Sequence, residues 1–245
     1  MEDFIVTYKW LSFDIETAKI TEDGNNLEAE RPLGICCWAL AWETHLGVEI
    51  QTGHGLAANY TPTPRLGKYE CQALVKKLRQ LTLYEGYTLL THNGVGFDLD
   101  ILAEESGMHA ECVELAMNSV DMMLQFHCTK GFPIGLDAIA KGMGLSGKTE
   151  GMSGSLAPVL WANGECVKVL EYVGQDVRST LEVALRVEQI GELRWIAKSG
   201  RLNAVPFSRW MTVREALELP LPNVSWMTDA WPREKFTSWM AEAKK

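Results

Sequence analysis

Residues 8–17 read YKWLSFDIET. On an extended chain, side chains two apart point the same way, so Leu11, Phe13 and Ile15 share one face and Asp14 and Glu16 the other. Two parallel carboxylates beside an apolar strand repel each other unless a cation or a proton sits between them. The same pattern also reads as the solvent face of an edge strand. Either way, the apolar face has to lie on a core.

The rest of the chain supplies that core. Residues 34–43, GICCWALAWE, form a second strand so apolar that both of its faces must be buried. Gly47 separates it from a short third strand at 48–52, and Pro62 and Pro64 break the chain. A helix follows over 68–84, with Leu74, Leu78 and Leu81 on one stripe and Lys76, Lys77 and Arg79 exposed. Residues 87–91 are a fourth strand. Helices are expected at 97–106, 109–118, 121–128 and 136–143, then a glycine-rich loop at 144–154 and a long helix over 165–190. A polar turn at 21–26 separates the first two strands. Strands first, then helices and strands in alternation, predict an α/β domain with a mixed sheet.

The 245 residues allow one large domain plus an appendage. The expected division is a main domain over 1–198 and a C-terminal extension over 199–245. The extension holds four of the nine tryptophans: Trp210, Trp226, Trp231 and Trp239. They are read as anchors of an element with little core of its own, in preference to base-stacking groups. Truncation near residue 198 is then expected to cost solubility or stability before it alters cleavage specificity.

A composition of 47% hydrophobic and 22% charged residues excludes disorder and fibrous repeats. The six cysteines form no Cys-x-x-Cys pair, which points to free thiols in a reducing compartment, without a disulfide framework or a zinc site. The N-terminus shows no basic segment leading into an apolar one. The longest apolar stretch, residues 33–42, is about half the ~20 residues of a membrane span. A cytoplasmic protein with no membrane partner is expected. The net charge is −9, with a net −7 over residues 1–60 and −6 over 91–130. Such a chain is poorly suited to coating nucleic acid non-specifically.

Two further segments carry acidic groups in suggestive places. In THNGVGFDLDIL a strand ends at Thr91, glycines 94 and 96 turn the chain, and Asp98 enters a helix. Helical spacing puts Asp98 in line with Ile101 and Leu102, facing inward, and Asp100 toward solvent. An ordinary helix start would look the same, since aspartate is favoured there. In EYVGQDVRST, Tyr172 and Asp176 lie one turn apart on a helix that is apolar over a wide arc. An aspartate on its inner side needs a partner. Gly174, costly in a helix interior by about 1 kcal/mol, suggests close approach of another backbone. A simple Tyr–Asp pair with one exposed carboxylate is the plainer reading.

Taken in order, SFDIET, HNGVGFD and YVGQD resemble the three motifs of the DEDD superfamily of 3′→5′ exonucleases, in its tyrosine (DEDDy) branch. The resemblance covers roughly residues 8–190. The intervening DMMLQF and GLDAIAKGMGL segments look most like stand-alone relatives of the family B DNA polymerase exonuclease domain. The resemblance implies a ribonuclease-H-like fold, a mixed β-sheet flanked by helices, here with the tryptophan-rich extension. It implies that Asp14, Glu16, Asp98 and Asp176 hold two divalent cations, Mg²⁺ or Mn²⁺, and that Tyr172 orients the attacking water.

The same resemblance implies release of nucleoside 5′-monophosphates from the 3′ end of a nucleic acid, single-stranded DNA in the first instance. Phe97 would stack on the terminal base, and Asn93 and Thr17 would touch the terminal nucleotide. Each of these three is accounted for equally well by packing, turn formation or strand pairing. Lys141, Lys148 and Arg178 are phosphate-contact candidates that read more simply as solvated charges. Alternatives are an exoribonuclease of the ribonuclease D type, a non-catalytic nucleic-acid-binding accessory subunit, and an endonuclease on the same fold.

Overall fold

The computed structural model describes residues 8–21, 27–147 and 151–241. Lys148 and most of the polar turn expected at 21–26 lie outside the described residues. The first strand, β1 (Trp10–Thr17), pairs antiparallel with β2 (Ile35–Thr44), which pairs antiparallel with β3 (Gly47–His54). On its other side β1 pairs in parallel with β4 (Thr88–Thr91), and β4 with the two-residue β5 (Val120–Asp121). The sheet order is β3-β2-β1-β4-β5. β1 is therefore central, and the edge-strand reading of its acidic face is ruled out. Leu11, Phe13 and Ile15 lie in the core on one side of the sheet. Asp14 and Glu16 lie on the other.

The helices divide between the two faces. α1 (Lys68–Leu83), α2 (Asp98–Ser106) and α3 (His109–Asn118) pack on the face that carries Leu11, Phe13 and Ile15. α7 (Cys166–Ile190) crosses the opposite face over β1, β2 and β3. β2 meets α7 with small side chains, Cys37, Ala39 and Ala41, all fully buried. That lets the helix come close to the sheet. α7 buries Val169, Val173, Val177, Leu181 and Val187 in the same core, each stabilising by about 1.5–3 kcal/mol relative to exposure. Gly174 faces β3. A Cβ there would lie 3.5 Å from the Ile50 side chain and 3.8 Å from that of Thr52. The close approach expected from this glycine is thus to side chains, not to a backbone.

Between α3 and α7 lie α4 (Met122–Lys130), α5 (Leu136–Gly142) and α6 (Ala157–Ala162). α6 is absent from the sequence reading, since its six residues are too few to show a period. The expected boundary at residue 198 falls in the turn of a hairpin, β6 (Glu192–Ile196) with β7 (Leu202–Pro206). Beyond it come α8 (Val213–Leu217) and α9 (Glu234–Ala241).

The tail is tied down at several points. The Trp210 indole donates to the Ala184 carbonyl, Val213 N–H to the Ser119 carbonyl, and the Trp239 indole to the Val95 carbonyl at 2.7 Å. The four tail tryptophans divide in two. Trp210 and Trp239 are buried (1% and 5% exposed), while Trp226 is 67% and Trp231 38% exposed. Anchoring therefore accounts for only two of them. All six cysteines are free thiols. Among the described residues no helix is long and apolar enough to cross a membrane.

Candidate metal centre

Carboxylates from β1 and α7 meet where β1 ends. Carboxylate oxygens of Asp14, Glu16 and Asp176 all lie within 4.8 Å of one another. Their convergence follows from local structure. Alternation on β1 aims Asp14 and Glu16 at α7, and the buried stripe of α7 aims Asp176 back. A register skip at Glu16/Thr17 pairs Thr17 with Ile35 and leaves Cys36 as an extra residue. A bulge of this kind bends a strand and re-aims its side chains.

Asp98 is the first residue of α2 and is buried. Its Oδ1 accepts from the Ile15 N–H at 2.9 Å. It also shares a hydrogen bond with Asp14. Asp98 therefore adjoins the carboxylate trio through Asp14. Desolvation, followed by the charges of Asp98, Glu16 and Asp176, holds the Asp14 carboxyl well above the usual range. Desolvation likewise pushes Asp98 up to about 6, against the lowering effect of its hydrogen bonds to Asp14 and the Ile15 amide. Tyr172 lies one turn before Asp176 and is buried. Desolvation, the charges of Asp176, Glu16 and Asp14, and its hydrogen bond to Asp176 all raise its pKa far above the usual phenol value.

The crowding itself tests whether a cation fits. Several carboxylates at this separation ionise together only when positive charge is supplied. The donor set is oxygen only, which suits hard divalent ions such as Mg²⁺ or Mn²⁺ and not zinc. The acidic cluster could therefore hold divalent metal.

A cleft of about 290 Å³ opens beside it, lined by Asp14, Glu16, Tyr172 and Asp176 together with His92, Asn93 and Phe97. Gly135, Leu136 and Asp137 form part of another wall. Thr17 is not among the lining residues. It is half-buried at the end of β1. Lys141 is ion-paired with Asp137 at 2.7 Å, and Arg178 with Glu182 at 3.8 Å. Asp100 is buried and ion-paired with Arg31, which also bonds Glu104 at 2.8 Å. Its expected solvent exposure is overturned because Arg31, remote in sequence, folds over it. A second cavity of about 300 Å³, lined by Phe126, Phe207 and Trp210 among others, carries none of the metal-site carboxylates.

One structural carboxylate escaped the sequence reading. Asp121, 1% exposed, accepts four hydrogen bonds. They come from the Thr91 hydroxyl (2.8 Å) and from the N–H groups of Asn93 (3.2 Å), Val95 (3.0 Å) and Leu124 (2.9 Å). It thereby fixes the loop that carries Asn93, Phe97 and Asp98. In that loop Asn93 has φ +72°, a left-handed conformation that asparagine tolerates. A Cβ on Gly94 would meet the Thr91 side chain at 2.5 Å. An aspartate ahead of the apolar run MMLQF signals a helix cap; its bonds to residues 91–95 have no sequence signature.

Strand order, mixed pairing and an acidic cluster at the end of the central strand define an α/β protein of ribonuclease-H-like architecture. Residues 52–187 match the model of the RNase_H superfamily, and the chain belongs to that superfamily. Its members are mostly nucleases. The match includes Asn93, Phe97, Asp98, Tyr172 and Asp176 and leaves out β1, with Asp14 and Glu16. No curated protein matches the chain.

Proposed function

We propose that this chain is a metal-dependent 3′→5′ exonuclease that releases nucleoside 5′-monophosphates from single-stranded DNA. The observation that carries the reading is the convergence of Asp14, Glu16 and Asp176 within 4.8 Å, beside a cleft that also presents Tyr172 and Phe97. Two divalent ions in such a site supply an activated water and stabilise the departing 3′ oxygen. Asp14, Glu16, Asp98 and Asp176 are the residues that would hold them.

The chain's own side chains do the rest. Tyr172, kept protonated by its buried acidic surroundings, gives its one O–H to Asp176 and leaves its oxygen to accept from a water, so its role is to orient the water. Phe97 is placed to stack on the terminal base, and Asn93 to touch the same nucleotide. The cleft holds about 290 Å³, which suits a terminal nucleotide and not a duplex. The −9 charge fits this limited footprint.

Linear single strands labelled at either end, and a circular single strand, test the reading with Mn²⁺ present. The expected result is early release of labelled mononucleotide from the 3′ end and an intact circle. Cleavage of the circle, or degradation of RNA but not of DNA, overturns it.

A further inference from the structure

The two exposed tail tryptophans are held, not loose. The Trp226 indole donates to the Asn223 carbonyl at 3.1 Å. Its ring stands edge-on to Phe132 at 6.0 Å, Phe132 edge-on to Phe126 at 5.2 Å, and Phe126 edge-on to Trp195 at 5.2 Å. A ladder of rings thus runs from the core to a 67% exposed indole. Leaving so large an apolar ring in water while fixing its orientation leaves a flat surface ready for another ring.

The ring beneath that surface, Phe132, is joined to the cleft by a short loop. Phe132 belongs to the loop 131–135, whose last residue, Gly135, lines the cleft with Leu136 and Asp137. The tail is pressed onto the start of the same loop, since a Cβ on Gly131 would meet Val224 at 2.2 Å. The loop is also tied to the opposite wall by His92, whose Nε2 lies 2.9 Å from the Ile134 carbonyl. Nearby, Lys235 sits 3.5 Å over the Trp231 ring and is exposed. In a chain of net −9, the described part of the tail, residues 201–241, is +1. Fixed aromatic faces with an exposed cation beside them suit a flexible polyanion carrying planar bases.

We infer that Trp226 is a stacking platform for single-stranded nucleic acid upstream of the 3′ end lying in the cleft, with Trp231 and Lys235 extending the track. This rests on the nuclease reading above. Three residues of chain span at most about 11 Å. With the ring spacing and a stacked rise of about 3.4 Å per nucleotide, the platform meets the strand about four to six nucleotides from the end.

The test is binding of 5′-fluorescein-labelled (dT)10 and (dT)3 by anisotropy with Ca²⁺, in an Asp14→Asn background so that the strand is not consumed. Trp226→Ala is expected to weaken (dT)10 binding about tenfold or more and to leave (dT)3 unchanged. Trp226→Phe is expected to restore most of the loss. Equal weakening for both lengths, no change for (dT)10, or no binding of (dT)10 before the substitution overturns the platform. Binding that behaves as expected in a protein that never hydrolyses DNA overturns the nuclease reading and leaves the platform standing.

Discussion

Asp98 and Asp121 are buried to a similar degree, 3% and 1% exposed, at the two ends of one loop system. Asp121 is met by four donors. Asp98 is met by the Ile15 amide, by its own backbone N–H and by Asp14, a second acid. Asp121 has its charge distributed into hydrogen bonds, the usual condition for a buried carboxylate. Asp98 belongs to a cluster short of positive charge. Two aspartates with the same burial thus stand in opposite surroundings: one is met by donors that hold the loop, and the other lies against an acidic cluster.

The sharpest way to break this contrast is to neutralise the cluster. Asp14→Asn is expected to lower nuclease activity by at least about two orders of magnitude. It should also raise the melting temperature of the metal-free protein at pH 7, because it removes one of the repelling carboxylates. A melting curve in EDTA and an assay in Mn²⁺ read the two effects separately. Lower stability together with lower activity would place Asp14 with Asp121.

Asp121→Asn should lower stability as well as activity. Its amide presents N–H groups to backbone N–H groups, and stability should fall by about 2–3 kcal/mol, as read by urea unfolding. Activity should fall by about tenfold, because Asn93, Phe97 and Asp98 ride on the loop it fixes. An unfolding midpoint equal to that of the wild type would show that these four hydrogen bonds are dispensable.

The same contrast explains what the sequence could disclose. Period-two alternation in SFDIET and the apolar run of β2 are local, and they predicted the sheet. The stripe on α7 placed Tyr172 and Asp176 on the inner side. Pairings across long separations left no local trace. Arg31 folding over Asp100, Asp121 reaching back to residues 91–95, and Trp239 bonding Val95 all join segments tens of residues apart. The four tail tryptophans were alike as letters and were separated only by tertiary packing.

A pH titration sharpens the comparison further. The folded-state pKa of Asp98 is raised from 3.8 to about 6, and that of Asp14 is raised in the same direction. A raised carboxyl makes the metal-free folded state bind extra protons. Its stabilising contribution is complete below about pH 4 and is lost as pH rises through about 6. For Asp98 alone the loss is on the order of 3 kcal/mol. Unfolding free energies in EDTA should therefore fall between pH 4 and 7. Mn²⁺ at pH 7 should return most of the loss, and Asp98→Asn should flatten the slope. A profile that rises over this range in EDTA would mean that the cluster is not short of positive charge.

The smallest effect concerns the tail. α9 presses on the Asp98 loop from outside: the Trp239 indole bonds Val95, and Gly96 lies 3.5 Å, measured from an added Cβ, from the Phe236 Cα. The loop is thus clamped between Asp121 and α9. Truncation near residue 198 would remove one jaw together with the packing of the tail. Trp239→Phe keeps an aromatic ring but deletes the N–H and part of the buried indole volume, and should cost about 1–3 kcal/mol. If the jaw acts on the site, kcat should drop about two- to threefold. A change in stability with kcat intact would confine α9 to packing.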